Sequence, residues 1–417
     1  MIHQLLACAA ILLGFVTIAA GEEKIPRVAV VTTVWYHNSH ADVIAGRLLQ
    51  GFNLDGEGEF PKLKLVSLYC DQFPTNDKAR ELAKTHNFPL YDNVAGALTL
   101  GGDKLAVDGV LLIAEHGKYP ENETGSIAFP KRRLFGEVFQ TFEKSGRVVP
   151  VFSDKHLSDN WADCDWIYGE AQRLKVPFMA GSSLPTTWRY PPADVKLGAP
   201  LKEIVAVSYH RLDTYGFHAL EMVQCLAERR GGGETGIKQV RCLEGDAVWE
   251  AIDAGLVDKR LLAETFKHLK YKPIADIQTV RELAGKSKQP PTLMVMDYAD
   301  GLRASVLTAN GAFGEWSVAW RYGDGKSEST CFAPQENRPF AHFTYLLKGA
   351  ERMIHTGQPT WPVERTLLVS GALDALLRSK KDGGKIRPTP ELAIKYAPGP
   401  EWKSPPPPPP DRPITGK

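Results

Sequence analysis

Apolar and polar positions alternate along this chain in two rhythms. From residue 28 to 181, apolar runs of strand length are separated by stretches with helical periodicity. The runs predict strands at 28–34, 63–69, 90–92, 107–114, 147–152 and 177–181. Between them, 41–52 carries Val43, Ile44, Leu48 and Leu49 on one helical stripe, and 131–145 does the same with Leu134, Val138, Phe139 and Phe142. Shorter helical stretches fall at 76–86 and 159–174. After residue 200 the helices thin out and strands follow one another directly, at 204–209, 237–244, 292–296, 302–307 and 316–321. Helices are expected at 216–229, 343–356 and 364–379, and GGGETG (231–236) marks a turn.

Strands that alternate with helices of 10–15 residues build a parallel, doubly wound sheet with right-handed crossovers. The expected fold is therefore α/β, with an N-terminal Rossmann-like doubly wound parallel sheet over 22–197. A C-terminal α/β domain with a large, mostly antiparallel open sheet follows over 198–395. The flanks differ. Residues 1–21 contain LLACAAILLGFVTIAA, an apolar segment ending in small residues, which reads as a cleaved export signal and places the protein in the periplasm or outside the cell. Residues 396–417 contain SPPPPPPDRP, an extended polyproline tail.

Composition narrows the partners. The 417 residues carry a net charge of +1, so no basic field favours nucleic acid or an anionic membrane surface. Behind the leader lie Cys70, Cys164, Cys225, Cys242 and Cys331; none forms a CxxC pair, and buried free thiols or one disulfide both fit the pattern.

A sheet of this kind normally carries glycines directly after its first strand, where a pyrophosphate meets a helix N-terminus. Here VAVVTTVWYHNSHADVI (28–44) offers Thr32, Thr33, Trp35, Tyr36, His37, Asn38, Ser39 and His40 instead. Asn38-Ser39 can cap the following helix, with Asp42 in its first turn. Asp71 ends the second strand, as a ribose-binding carboxylate or as a turn aspartate ahead of Pro74. Lys155 and His116 follow strand ends, where an open α/β sheet binds ligands. Trp188 and Arg189 follow the last strand of the first sheet; together they suit the ring and hydroxyls of a sugar, or an interdomain hinge. A metal reading rests on His37 and His40, with Asp42, His116 and His156 from neighbouring strand ends.

Several stretches, in order and spacing, resemble the Gfo/Idh/MocA family of nicotinamide-dependent sugar and inositol oxidoreductases. They are 66–71 with Asn76-Asp77-Lys78-Ala79-Arg80, Phe88-Pro89-Leu90-Tyr91-Asp92, and VDGVLLIA (107–114). Phe152-Ser153-Asp154-Lys155 stands at the family's Glu-Lys-Pro motif, with His156 in place of the proline. Thr214-Tyr215-Gly216-Phe217-His218-Ala219-Leu220-Glu221 is similar to its "D-x-G-x-H-x-x-D" helix start, with Asp213 one residue off the first acidic position. The resemblance implies Lys155 and His218 as catalytic residues, and Thr32, Asn38, His40, Asp71 and His116 around NAD or NADP. It further implies Trp188, Arg189 and Asp213 around a small, sugar-like substrate, and a homo-oligomer built on the open sheet. The reading that follows is an exported oxidoreductase acting on a sugar or polyol. Two alternatives stay open: a carbohydrate-binding or scaffold protein that has lost the nucleotide, with no cofactor, and a metal-dependent enzyme using the same crevice.

Overall fold

The computed structural model describes residues 24–398. The expected leader, and the tail from 399 onward, lie outside the described residues. The first sheet is built from β1 (Arg27–Thr32), β2 (Lys64–Cys70), β3 (Leu90–Tyr91), β4 (Gly109–Ile113), β5 (Val151–Asp154) and β6 (Phe178–Gly181). Their order is β3-β2-β1-β4-β5-β6 and every pairing is parallel. This is the doubly wound Rossmann arrangement, whose direction of winding reverses between β1 and β4. The connecting helices are α1 (His40–Ile44), α2 (Arg47–Gln50), α3 (Ala79–Thr85), α4 (Val94–Thr99), α5 (Lys131–Ser145) and α6 (Trp161–Arg173).

The helix expected at 41–52 is broken into α1 and α2. The break falls at Gly46, where a Cβ would stand 2.0 Å from the Asp42 carbonyl oxygen. The chain can fold this tightly there only without a side chain.

The second sheet begins earlier than its sequence suggests. β7 (Trp188–Tyr190) is its edge strand, followed by β8 (Leu201–Ser208) and α7 (Phe217–Ala227). Next come β9 (Ile237–Glu244), α8 (Asp246–Asp253), α9 (Lys259–Phe266), α10 (Ile277–Ala284) and the strands β10 (Thr292–Tyr298), β11 (Arg303–Thr308), β12 (Trp316–Tyr322) and β13 (Ser327–Ala333). Helices α11 (His342–Thr356) and α12 (Val363–Lys381) and the short strand β14 (Arg387–Pro388) complete the fold. The order is β14-β9-β10-β11-β8-β12-β13-β7, antiparallel except for the β8–β11 pair.

Each sheet is covered on both faces. Against the second sheet, α7 and α12 bury Phe217, Val223, Leu368 and Leu376 on the inner side. On the outer side, Val248, Ile252, Leu262, Phe266 and Val280 of α8–α10 cover Val205, Leu293 and Leu307. Helices α8–α10 thus pack on the face where the open sheet suggested an oligomer contact. α11 returns to the first sheet, where Leu346, Leu347 and Met353 meet Val28, Val30 and Leu111. The domain division expected at residue 197 is thus crossed twice, by β7 and by α11. The five cysteines of the described residues are buried free thiols.

Candidate functional site

A cavity of about 290 Å³ opens at the carboxyl ends of β1, β4 and β5, beside the point where the winding reverses. His40 from the start of α1, His116 after β4 and Lys155 after β5 line it from below. Tyr215 and His218 from the start of α7, Trp316 of β12, and His342 and Phe343 of α11 line it from above. Tyr215 stacks on Trp316 with ring centres 5.2 Å apart, giving the cavity one flat aromatic wall. The backbone is strained here: Asn38, His116 and Lys155 have φ of 64°, 64° and 61°, in the left-handed region that side chains rarely adopt. Strain of this kind persists where surrounding contacts over-determine it, and it concentrates at functional sites.

Beneath the cavity lies a buried charge network. Glu115 places one carboxylate oxygen 3.1 Å from Lys155 Nζ and the other 3.0 Å from Lys131 Nζ. Lys131, at the start of α5, is wholly buried and also donates to the carbonyl oxygens of Asp154 and His156, at 2.9 and 2.5 Å. Burial works against an ionised Glu115, but Lys155 and then Lys131 outweigh it and hold the carboxyl well below its usual range. Burial likewise works against a charged Lys155, and Glu115 and Asp154 overcome it, so the ammonium persists above its ordinary range. Lys155 is therefore a fixed cation and a hydrogen-bond donor, not a free amine nucleophile.

The histidines around it are held neutral. Burial, then the Lys155 charge, depresses His218 well below its ordinary value. Burial, then His40 and Lys155, takes His116 down to about 3. His218 Nδ1 lies 2.5 Å from the Ser182 hydroxyl, which itself accepts the Leu184 N–H at 3.0 Å. With the Ser182 proton directed at Nδ1, one of the two arrangements this pair allows, the His218 proton sits on Nε2 and faces the cavity.

Of the positions expected from sequence, Asn38, His40, His116, Lys155 and His218 meet at this cavity. The others do not. Thr32 is buried and donates to the carbonyls of Val34 and Ile113, which ties β1 to β4. Asp71 is consumed by the hydroxyls of Tyr69 and Tyr119, at 2.6 and 2.7 Å, and by Arg133. Trp188 sits edge-on to Tyr345, and Arg189 lies over Phe332 and pairs with Asp194; β7 is paired with β13, and neither residue lines the cavity. Asp213 accepts two hydrogen bonds from Arg211. His37 is exposed and lies 3.9 Å from Asp42, whereas His40 turns inward to Asp154. Among the described residues no group of three or more His, Cys, Asp or Glu is placed to hold a metal ion.

Glu115, Lys131, Tyr215 and Trp316 are site residues that the sequence pattern did not single out. Glu115 directly precedes His116 at a strand end, a position that could have raised it; Lys131 looks like any first-turn lysine.

The first turn does not fit a dinucleotide. Helix α1 has only five residues, and the Ser39 side chain caps it by accepting the Asp42 N–H. Asp42 accepts the Asn38 N–H at 2.9 Å, and the Ser39 hydroxyl accepts that of Tyr36 at 3.1 Å. Trp35 is fully buried in the space glycines would leave. The segment between β13 and α11 then crosses the turn, with Arg338 bonded to Asn38, Asp42, Gln50 and Asp55. Arg47 anchors the same segment through the carbonyls of Pro339 and Phe340. The buried Asp42 carboxylate, paired with Arg338, occupies the helix start in place of an external anion, and the cavity volume is at the lower end of ordinary small-ligand pockets.

No protein-family model matches the sequence, and no curated protein does. Solved structures do match in fold. GenD2 from gentamicin A biosynthesis, solved in complex with NAD, is 13% identical, with 90% of this chain and 99% of that one covered at a TM-score of 0.57. A scyllo-inositol dehydrogenase from Lactobacillus casei is 12% identical over 87% and 98%, with a TM-score of 0.53. A myo-inositol 2-dehydrogenase from Lactobacillus plantarum is 12% identical over 88% and 99%, with a TM-score of 0.53. At such identity the likeness is one of fold: this chain has, over nearly its whole described length, the two-sheet architecture of these dehydrogenases.

Proposed function

We propose that the chain binds a small, hydroxylated, sugar-like molecule in the cavity and moves a proton on it, without holding a dinucleotide at the first turn. The observation that carries this reading is Lys155, a buried ammonium at the cavity floor, kept charged by Glu115 and facing an aromatic wall. The ammonium and the His218 N–H are two donors suited to an oxygen that gains negative charge. Tyr215 and Trp316 suit the flatter, apolar face of a ring. Export through the segment 1–21 belongs to the same proposal and places the ligand outside the cytoplasm.

A second reading, a nicotinamide-dependent oxidoreductase of a sugar or polyol, is favoured by Lys155 standing at the strand end where the resembling family has its lysine. It requires the Arg338 segment to leave the turn.

A thermal-shift screen of sugars, polyols, keto sugars and sugar acids tests the first reading. At least one class is expected to raise Tm, and Lys155→Met should weaken its binding roughly 10- to 100-fold, the worth of a hydrogen bond to a charged group. Ligand binding unaffected by Lys155→Met would contradict the assignment.

A further inference from the structure

The carboxyl end of β5 carries a second pair of groups that the proposal above does not use. Asp154 ends the strand with its carboxylate 1% exposed, and its Oδ2 lies 2.5 Å from Nδ1 of His40. The imidazole is held in place by edge contacts with Phe343 and His116, with ring centres 5.0 and 5.1 Å away. The Nδ1 proton is committed to Asp154. The other ring nitrogen, Nε2, has no protein partner among the described residues, and the ring lines the cavity that Lys155 and His218 also line.

We infer that His40 is a general base, with Asp154 as the positioning residue that fixes its tautomer and stabilises the imidazolium it becomes. The inference rests on the cavity holding a hydroxylated ligand and adds the ligand's chemical class: a carbonyl compound with a C–H next to the carbonyl. His40 Nε2 takes that proton, so the C–H bond breaks and an N–H bond forms. The electron pair moves into the carbonyl to give an enolate oxygen, which the Lys155 ammonium and the His218 Nε2–H stabilise. Return of the proton from His40 Nε2 to the same carbon restores the carbonyl compound; its return to the former carbonyl carbon, with the hydroxyl on the adjacent carbon passing its proton to the enolate oxygen, completes an isomerisation. Electrons balance without oxidant or reductant, in keeping with a turn that does not fit a nucleotide.

Deuterium exchange tests this with the full-length protein in D₂O and three probes: D-fructose, 2-keto-D-gluconate and the ketone of myo-inositol. A probe that raises Tm is expected to gain deuterium beside its carbonyl. His40→Gln should slow that exchange at least about 100-fold while leaving the Tm shift in place. Asp154→Asn should slow it as well, and imidazole in solution should restore exchange to His40→Ala, which a merely structural bond between α1 and β5 would not allow. Exchange unchanged in His40→Gln overturns the inference, as does a probe that binds without exchanging. If no probe raises Tm while a sugar or polyol does, the carbonyl class and this inference fail and the reading of the cavity stands; if nothing in either set binds, both fail. Should the variants fail to fold, the wild-type proton spectrum decides: a far-downfield resonance of the His40–Asp154 proton is required, and its absence overturns the pair.

Discussion

Lys131→Met should destabilise the protein by about 3–5 kcal/mol, the cost of removing one member of a buried ion pair. Thermal unfolding would register this as a fall in Tm of about 5 °C. The reason is where Lys131 sits. It is fully enclosed, and its three donors serve the Glu115 carboxylate and the carbonyls of Asp154 and His156. Methionine fills similar volume but leaves one carboxylate oxygen and two carbonyls without donors. Glu115 then keeps a single cation, and the turn that carries Lys155 loses its anchor. Adding Glu115→Gln to Lys131→Met should recover part of the loss, since the uncompensated charge is gone. A change below about 1 kcal/mol would mean that water reaches the network and that Lys155 is not a buried cation.

Stability should also fall steeply between pH 6.5 and 4.5. His156 and His342, like His116, are pushed down to about 3 by burial, then by Lys131 and Arg47 respectively, and His218 is pushed down as well. The unfolded chain takes up these protons near pH 6.5, whereas the folded chain does not. Each histidine therefore contributes stability that is complete above the unfolded value and is lost as pH falls toward the folded one. Three carboxyls act the other way, Asp374 among them, raised by burial. Burial raises Glu221 and Glu336 to about 7, so each favours the folded state as pH falls through that range. Glu336 stands at the exposed rim and counts for less. Four histidines outweigh them, leaving a loss on the order of 2 kcal/mol per pH unit near pH 5.5. Glu115 and Lys155 are charged throughout this window, so the slope belongs to the histidines. Urea midpoints at pH 7, 6 and 5 would measure it, and a flat profile would mean that the cavity histidines are solvated.

Much of the architecture was legible because strands buried on both faces are written as unbroken apolar runs. Val28–Val31 and the run at 109–113 need no partner to be recognised. The convergence of His40, His116 and Lys155 was legible for a topological reason, since residues that follow parallel strands must share one edge of the sheet. What stayed hidden depends on long-range pairing. Trp188 and Arg189 look like crevice residues until β7 is known to pair with β13, more than 140 residues later. Asp71 looks like a ribose ligand until Tyr119 and Arg133 are seen to consume it. The helices α8–α10 have only eight residues each, about two turns, and went unread although Asp258 caps α9 and Asp276 caps α10. Lys131 and Glu115 lie sixteen residues apart on different elements, and no local pattern links them. The opening turn was the exception. Its missing glycines were readable at once, and Trp35, Asp42 and Arg338 supply the physical content of that absence.

The first turn is filled by the protein itself, through Trp35, Asp42 and Arg338. Isothermal titration of the purified full-length chain with NAD, NADH, NADP and NADPH, up to millimolar concentration, tests it most directly. Heats of dilution alone are predicted for all four. A saturable isotherm in the micromolar range with any of them would contradict the account, because it would show that Arg338 and its segment yield the turn to a dinucleotide.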